Sequence, residues 1–243
     1  MPELKGSFAI LTGAAQGLGL AIARAYARQG MTLALMDVQA DKLNDLVDEL
    51  SAAGATCLAL PVDLSDETAT QSAIALALAT YGTPRVLVHN AALLKERSMQ
   101  EIEFAHWQKE VNIILQAAFL LSKAVWQPMI DAGGGSIVYL SSGSGVKGFL
   151  KEVAYCPAKH GQEGLMKVLA MEGAEFNIAV NTITPGAPIQ TPMSAENYTD
   201  EHKRAWIDPA LLAPAFVYLA GIDAQIVTGE RLNAWELAQK MTG

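Results

Sequence analysis

Cysteine is nearly absent from this chain: Cys57 and Cys156 are the only two, and neither stands in a CxxC pair or near histidines at metal-ligand spacing. No disulfide framework or cysteine-based metal knuckle is expected, and both thiols read as buried and reduced. Histidine is almost as scarce. His89, His106, His160 and His202 are scattered, without an HxxxH pattern or a carboxylate partner, so no metal is assigned. Charge is sparse too, with 17 Lys+Arg against 25 Asp+Glu and a formal net charge of −8. Such a chain has no excess of basic residues to neutralise phosphates, so neither nucleic acid nor an anionic membrane surface is expected as a partner. An apolar signal core is missing from the N-terminus, and the apolar stretch 113–126 is broken by Gln116, Ser122 and Lys123. These absences leave a cytoplasmic protein acting on a small molecule as the expectation.

What is present is core-forming sequence. Of 243 residues, 51% are hydrophobic, which suits one compact domain spanning 1–243. Short β-rich runs at 8–11, 32–36, 57–62, 86–89, 136–140 and 179–183 alternate with helical segments. The runs are continuously apolar, as in strands covered by helices on both faces. Strand and helix repeated in this way predict an α/β fold, a doubly wound parallel sheet. Gly30 and Gly54 fall where helices need a left-handed terminal residue. The stretch 185–208 carries Pro185, Pro188 and Pro192 and then polar residues; it reads as an excursion from the sheet, with 187–208 a lid over a site.

Directly after the first run comes Thr12-Gly13-Ala14-Ala15-Gln16-Gly17-Leu18-Gly19, which opens a helix. Here Gly13 permits a tight turn, Gly17 lets backbone approach a pyrophosphate, and Gly19 lets helix lie close on strand. A helix N-terminus favours phosphate, so Gly13, Gln16, Gly17, Leu18 and Gly19 are candidate dinucleotide contacts. Asp37 ends the second run, 18 residues beyond Gly19, where a carboxylate accepts bonds from ribose hydroxyls and repels a 2′-phosphate. No lysine or arginine lies within the loop, so NAD is expected over NADP.

At this point the chain resembles the short-chain dehydrogenase/reductase family, whose TGxxxGxG pattern matches residues 12–19. The resemblance runs through nearly the whole sequence. Asp63-Leu64 is similar to the family's acidic adenine contact, and Asn90, in His89-Asn90-Ala91-Ala92, takes the retained asparagine position of its NNAG element. Asn112, within a predicted helix 104–121, falls where the family carries a catalytic asparagine. Ser142 lies 13 residues before Tyr155, and Tyr155-Cys156-Pro157-Ala158-Lys159 fits YxxxK. A last strand near Thr228 to Ala234 brings the expected sheet to about seven strands. A homotetramer is implied by the resemblance alone.

The resemblance implies a tetrad of Asn112, Ser142, Tyr155 and Lys159. Residues four apart share a helix face, so Tyr155 and Lys159 point the same way. Free tyrosine, with a pKa of about 10, is a poor base at neutral pH, and a nearby ammonium favours its phenolate. Tyr155 would then exchange a proton with a substrate hydroxyl held by Ser142, while Asn112 would hold a water linking Lys159 to solvent. Pro157 requires the helix to begin near Val153 or Ala154.

Two departures stand beside this match. Pro185-Gly186-Ala187-Pro188-Ile189-Gln190-Thr191 resembles PGxxxT with one residue more, and Pro185, Gly186, Ile189 and Thr191 become candidate nicotinamide contacts. The usual acidic-glycine ending of the last strand is replaced by Asn233-Ala234-Trp235. Trp107, Trp126, Trp206 and Trp235 read as core or subunit contacts, with Trp206 of the lid the best candidate for a pocket; Lys147 and Lys151 read as a solvated loop. The expected activity is hydride transfer between NAD(H) and a secondary alcohol or ketone, such as a sugar, polyol, hydroxy acid or cyclic alcohol. The alternative is an inactive NAD-binding regulatory or structural protein, which would be expected to have lost the tyrosine or the lysine.

Overall fold

The computed structural model describes residues 3–197, 203 and 205–242. Seven strands pair in parallel in one sheet: β1 (Phe8–Thr12), β2 (Thr32–Asp37), β3 (Cys57–Pro61), β4 (Val86–His89), β5 (Gly135–Leu140), β6 (Ile178–Thr184) and β7 (Arg231–Asn233). Their order is β3-β2-β1-β4-β5-β6-β7. The apolar runs were therefore strands, with bounds that differ by a residue or so. Helices α1 (Gly17–Arg28), α2 (Ala40–Ala52), α3 (Glu67–Tyr81), α4 (Phe104–Val111), α5 (Ala117–Asp131) and α6 (Tyr155–Gly173) connect them. After β6 come α7 (Pro192–Asn197), α8 (Ala213–Ala220) and, after β7, α9 (Ala234–Thr242).

Alternation along each strand divides the core in two, because successive side chains leave a strand on opposite faces. Ala9 and Leu11, Leu33 and Leu35, and Val86 and Val88 join α1, α2, α8 and α9 in one cluster. Phe8 and Ile10, Ala34 and Met36, and Leu87 join α3, α5 and α6 in the other. This double coverage explains why the strands read as unbroken apolar runs. Gly30 and Gly54 take φ of 73° and 89° just past α1 and α2, as their positions required.

The order in which strands are laid across the sheet reverses between β1 and β4, where Thr12 pairs with His89. A crevice opens outside the carboxyl ends of strands at such a point. The predicted helix 104–121 is longer and less regular than expected. It runs to Asp131 with a π-turn at Asn112–Gln116 between α4 and α5. A π-turn shifts the carbonyl pairing and leaves acceptors for other groups. Here the Ile114 carbonyl accepts from Gln162 Nε2 at 3.3 Å and lies 3.2 Å from His89 Nε2. By length and composition the run 104–131 could cross a membrane, with mean hydropathy 1.4, yet Ile114, Ala117, Leu121, Val125 and Met129 face the core. Helix α6 begins at Tyr155 with Ala154 as its N-cap, so Pro157 falls in the first turn, where its missing N–H costs nothing.

Candidate active site

A cleft of about 1060 Å³ lies at the reversal point. Its walls include Gly13, Gln16, Gly17, Leu18, Asp37, Asp63, Leu64 and Asn90. Further along it are Ser142, Tyr155, Pro185, Gly186, Ile189 and Thr191. Three of the expected site residues, Gly19, Asn112 and Lys159, do not line it.

The glycine loop is held by its neighbours rather than by its own contacts. Asn90 Nδ2 donates to the carbonyls of Thr12 and Gly13 at 3.1 and 2.9 Å, stapling the loop to β4. Gly19 sits behind the loop, where an added Cβ would lie 1.9 Å from the Gly13 carbonyl oxygen. Thr12 Oγ1 accepts from the amides of Asn90 and Ala91, so its own proton goes to His89 Nδ1, and the other ring nitrogen, Nε2, donates to Ile114 O. Burial, and then the charge of Lys159, hold the His89 ring down to about 3, so it stays neutral. Gln16 does not cap α1, and the amides that open a helix have no partners within it. Those amides, the glycine loop along the cleft wall and the acceptor at Asp37 make a donor and acceptor set that fits a dinucleotide.

Asp37 is 7% exposed, and each carboxylate oxygen accepts one backbone amide, from Ala15 and Gln39, both at 2.9 Å. Fixed in this way, it keeps further lone pairs for ribose hydroxyls. Sequence reasoning missed Lys42: one helical step along α2, its Nζ reaches Gln16 Oε1 at 3.1 Å and brings a cation to a loop that has none of its own. Asp63, also on the cleft wall, is tied to Ser65 and to Lys109 Nζ at 3.0 Å. Burial pushes its carboxyl up, but Ser65 and Lys109 outweigh that and hold it below the ordinary range.

Tyr155 is 5% exposed and packs with Leu94, Ile114 and Ala158. Ser142 follows β5 and its Oγ accepts from the Ser144 amide at 3.2 Å, capping a short 3-10 turn. Lys159, 1% exposed, places Nζ 5.7 Å from the Tyr155 ring centre, donating to the Leu140 carbonyl and, at 3.1 Å, to Gln162 Oε1. Asn112 is not drawn into this group, because its Nδ2 donates to the Ser65 carbonyl at 3.1 Å. The neighbour of Lys159 is instead Gln162, which bridges it to the π-turn that Asn112 opens.

Burial lowers Lys159 to about 7 from 10.5, against the attraction of Glu163. An unfolded chain then binds more protons than the folded one between those two values, so the fold gains stability as pH rises from about 7 to 10.5. The slope contributed is at most about 1.4 kcal/mol per pH unit. Urea midpoints of the cofactor-free protein at rising pH should show it, and Lys159→Met should remove it. Equal slopes in the two proteins would mean that the amine keeps its charge throughout.

The segment predicted as a lid begins pinned. Ile189 bridges Ile207, with Gln190 N donating to the Ile207 carbonyl and Ile207 N to that of Pro188, both at 3.0 Å. Just beyond this bridge Thr191 Oγ1 caps α7 through the Ser194 amide. Within the predicted lid 187–208, residues 198–202 and 204, including His202, lie outside the described residues. The altered strand end has a packing consequence: a Cβ on Gly186 would fall 1.7 Å from Asn233 Oδ1. None of the four tryptophans, and neither Lys147 nor Lys151, lines the cleft.

The family model for short chain dehydrogenase matches residues 7–202. The chain belongs to the short-chain dehydrogenase family. It is 35% identical over 183 residues to D-threitol dehydrogenase of Mycolicibacterium smegmatis, covering 75% of this chain and 70% of that one. Cyclohexanol dehydrogenase of an Acinetobacter species is 31% identical over 235 residues, 94% of this chain and 93% of its own. The structure of L-sorbose reductase from Gluconobacter frateurii, complexed with NADPH and L-sorbose, superposes with a TM-score of 0.86 at 26% identity, over 96% of this chain and 97% of that one. As a short-chain dehydrogenase, the chain is an oxidoreductase acting on CH–OH groups.

Proposed function

We propose that this short-chain dehydrogenase interconverts a secondary alcohol and its ketone, with NAD as the preferred dinucleotide. The observation that carries this reading is one cleft lined both by Ser142 and Tyr155 and by the glycine loop with Asp37. Residues 13 and 16–18 and Asp37 would hold the dinucleotide, and Asp63, Leu64, Pro185, Gly186, Ile189 and Thr191 would complete its walls. When bound, the nicotinamide supplies the hydride acceptor or donor.

The chain's own residues manage the proton. In oxidation Tyr155 takes it from the substrate hydroxyl, and Ser142 Oγ holds the same oxygen in place. Lys159 stands behind Tyr155 as the positive charge that favours the phenolate, and Gln162 with the Leu140 carbonyl fixes that amine. Asn112 acts by opening the π-turn, whose Ile114 carbonyl carries Gln162 and His89. A cytoplasmic homotetramer is the setting in which we place this chemistry, by the family's habit and the acidic balance of the chain.

The test is a panel of polyols, cyclic alcohols and hydroxy acids with NAD and with NADP, followed by absorbance of the reduced nicotinamide. No turnover of any alcohol with either dinucleotide would overturn the proposal. Cofactor choice has its own check. Asp37→Ala should lower kcat/KM for NAD by about tenfold to a hundredfold, the worth of charge-assisted hydrogen bonds. It should raise that for NADP, since Lys42 then meets the 2′-phosphate unopposed. An unchanged ratio of the two would refute the role given to Asp37.

A further inference from the structure

One arginine in the cleft is not used by the chemistry described so far. Arg231 on β7 pairs in register with Thr182 on β6, and both side chains meet Glu163 of α6. Its Nε donates to Glu163 Oε1 at 3.1 Å and its Nη2 to the Ser142 carbonyl at 2.9 Å. Nη1 has no hydrogen bond among the described residues, and a third of the side chain, 33%, stays accessible. Glu163 is 5% exposed and held on both oxygens: Ser141 Oγ donates to one and Thr182 Oγ1 to the other. The guanidinium is thus fixed from behind by a buried carboxylate, while one edge of its fork lies toward the cleft that Arg231 lines.

A purely structural role explains little of this. An ion pair whose arginine is a third accessible contributes little to stability. A rigid guanidinium with an unused edge is, by contrast, a carboxylate receptor, since its parallel N–H groups match two carboxylate oxygens. The surroundings agree. Leu94 packs on Tyr155, and the same loop sends Lys95 and Arg97 to the cleft wall, opposed there by Glu196 of α7. Five bases, Lys42, Lys95, Arg97, Lys109 and Arg231, line the cleft against three acids, Asp37, Asp63 and Glu196, which runs against the chain's overall charge of −8.

We propose that Arg231 is an anion subsite, so that the preferred substrate is a hydroxy acid whose carboxylate lies a few carbons from the carbinol. Arg231 grips the backbone of Ser142, the residue assigned to the carbinol oxygen, which sets the short span between the two groups. This inference rests on the oxidoreductase reading above and selects among its substrates.

The experiment compares lactate, 3-hydroxybutyrate and 4-hydroxypentanoate with their neutral primary amides. For at least one chain length, kcat/KM should favour the acid by about tenfold to a hundredfold. Arg231→Gln should abolish that acid-to-amide ratio. Because this variant leaves Glu163 unpaired, the double variant Arg231→Gln with Glu163→Gln keeps the charge balance and should abolish it equally. A ratio near unity in the unaltered protein, or one that survives both variants, overturns the proposal. Calorimetric titration of each acid into the protein loaded with NADH separates this failure from that of the function. Arg231-dependent binding without turnover keeps the subsite and sinks the oxidoreductase reading; turnover of neutral alcohols with no preference for acids does the reverse.

Discussion

Tyr155→Phe should lower kcat by about a thousandfold for any alcohol the protein accepts, while dinucleotide affinity and stability change little. The substitution removes one oxygen and leaves the ring, and it is the ring that packs with Leu94, Ile114 and Ala158. What disappears is the hydroxyl that, in the proposed reading, takes the substrate proton in a cleft shared with Ser142 and with Lys159 behind it. Phenylalanine cannot hold the proton at any pH, so raising the pH should not restore activity. Serine is a less severe loss: Ser142→Ala removes a hydrogen bond to the substrate and a cap on the 3-10 turn, not the acid-base group. Steady-state rates together with titration of the nicotinamide fluorescence check the split. Turnover by Tyr155→Phe within about tenfold of the unaltered protein would mean that another group moves the proton, outside the range such catalysis usually supplies.

How far this site was legible in advance depended on the kind of residue. The strands were readable because both faces are buried, which leaves continuous apolar runs such as Phe8–Thr12 and Val86–His89. The start of α6 was readable from one backbone fact, the missing N–H of Pro157. Less was readable wherever a polar side chain works in the interior. Gln162 and Glu163 look, in sequence, like the solvent side of a helix, yet both are buried, and the latter's partner Arg231 is 68 residues away. Lys42 likewise reads as helix surface until the fold brings α2 beside the glycine loop. The π-turn at Asn112 leaves no periodicity to detect over five residues, and nothing in the sequence signals the bond of that asparagine to the Ser65 carbonyl. Gly19 has the packing duty expected of it, close against the Gly13 carbonyl behind the loop, and does not line the cleft.

That duty carries a large expected effect. At Gly19 an added methyl would lie 1.9 Å from the Gly13 carbonyl oxygen, 2.7 Å from its carbon and 2.8 Å from Asn90 Nδ2. None of these can yield easily. Gly13 turns at φ 65° out of β1, a central strand, and Asn90 is bonded to that same carbonyl. Helix α1 would have to withdraw, pulling Leu18, Ile22, Ala23 and Tyr26 from the core they fill. Gly19→Ala should therefore destabilise the protein by about 3 kcal/mol, the upper part of the range for overpacking. It should also abolish dinucleotide binding, because the amides that open α1 move with the helix. The same chemical change at Gly164 makes the contrast. Gly164 is exposed in α6, and an added Cβ there meets nothing within 4 Å. Gly164→Ala should stabilise by about 0.5–1 kcal/mol through helix propensity alone. Urea unfolding of both variants, with NADH titration of each, reads the two effects. If Gly19→Ala bound NADH as tightly as the unaltered protein, close approach of α1 to β1 would not be what shapes the loop.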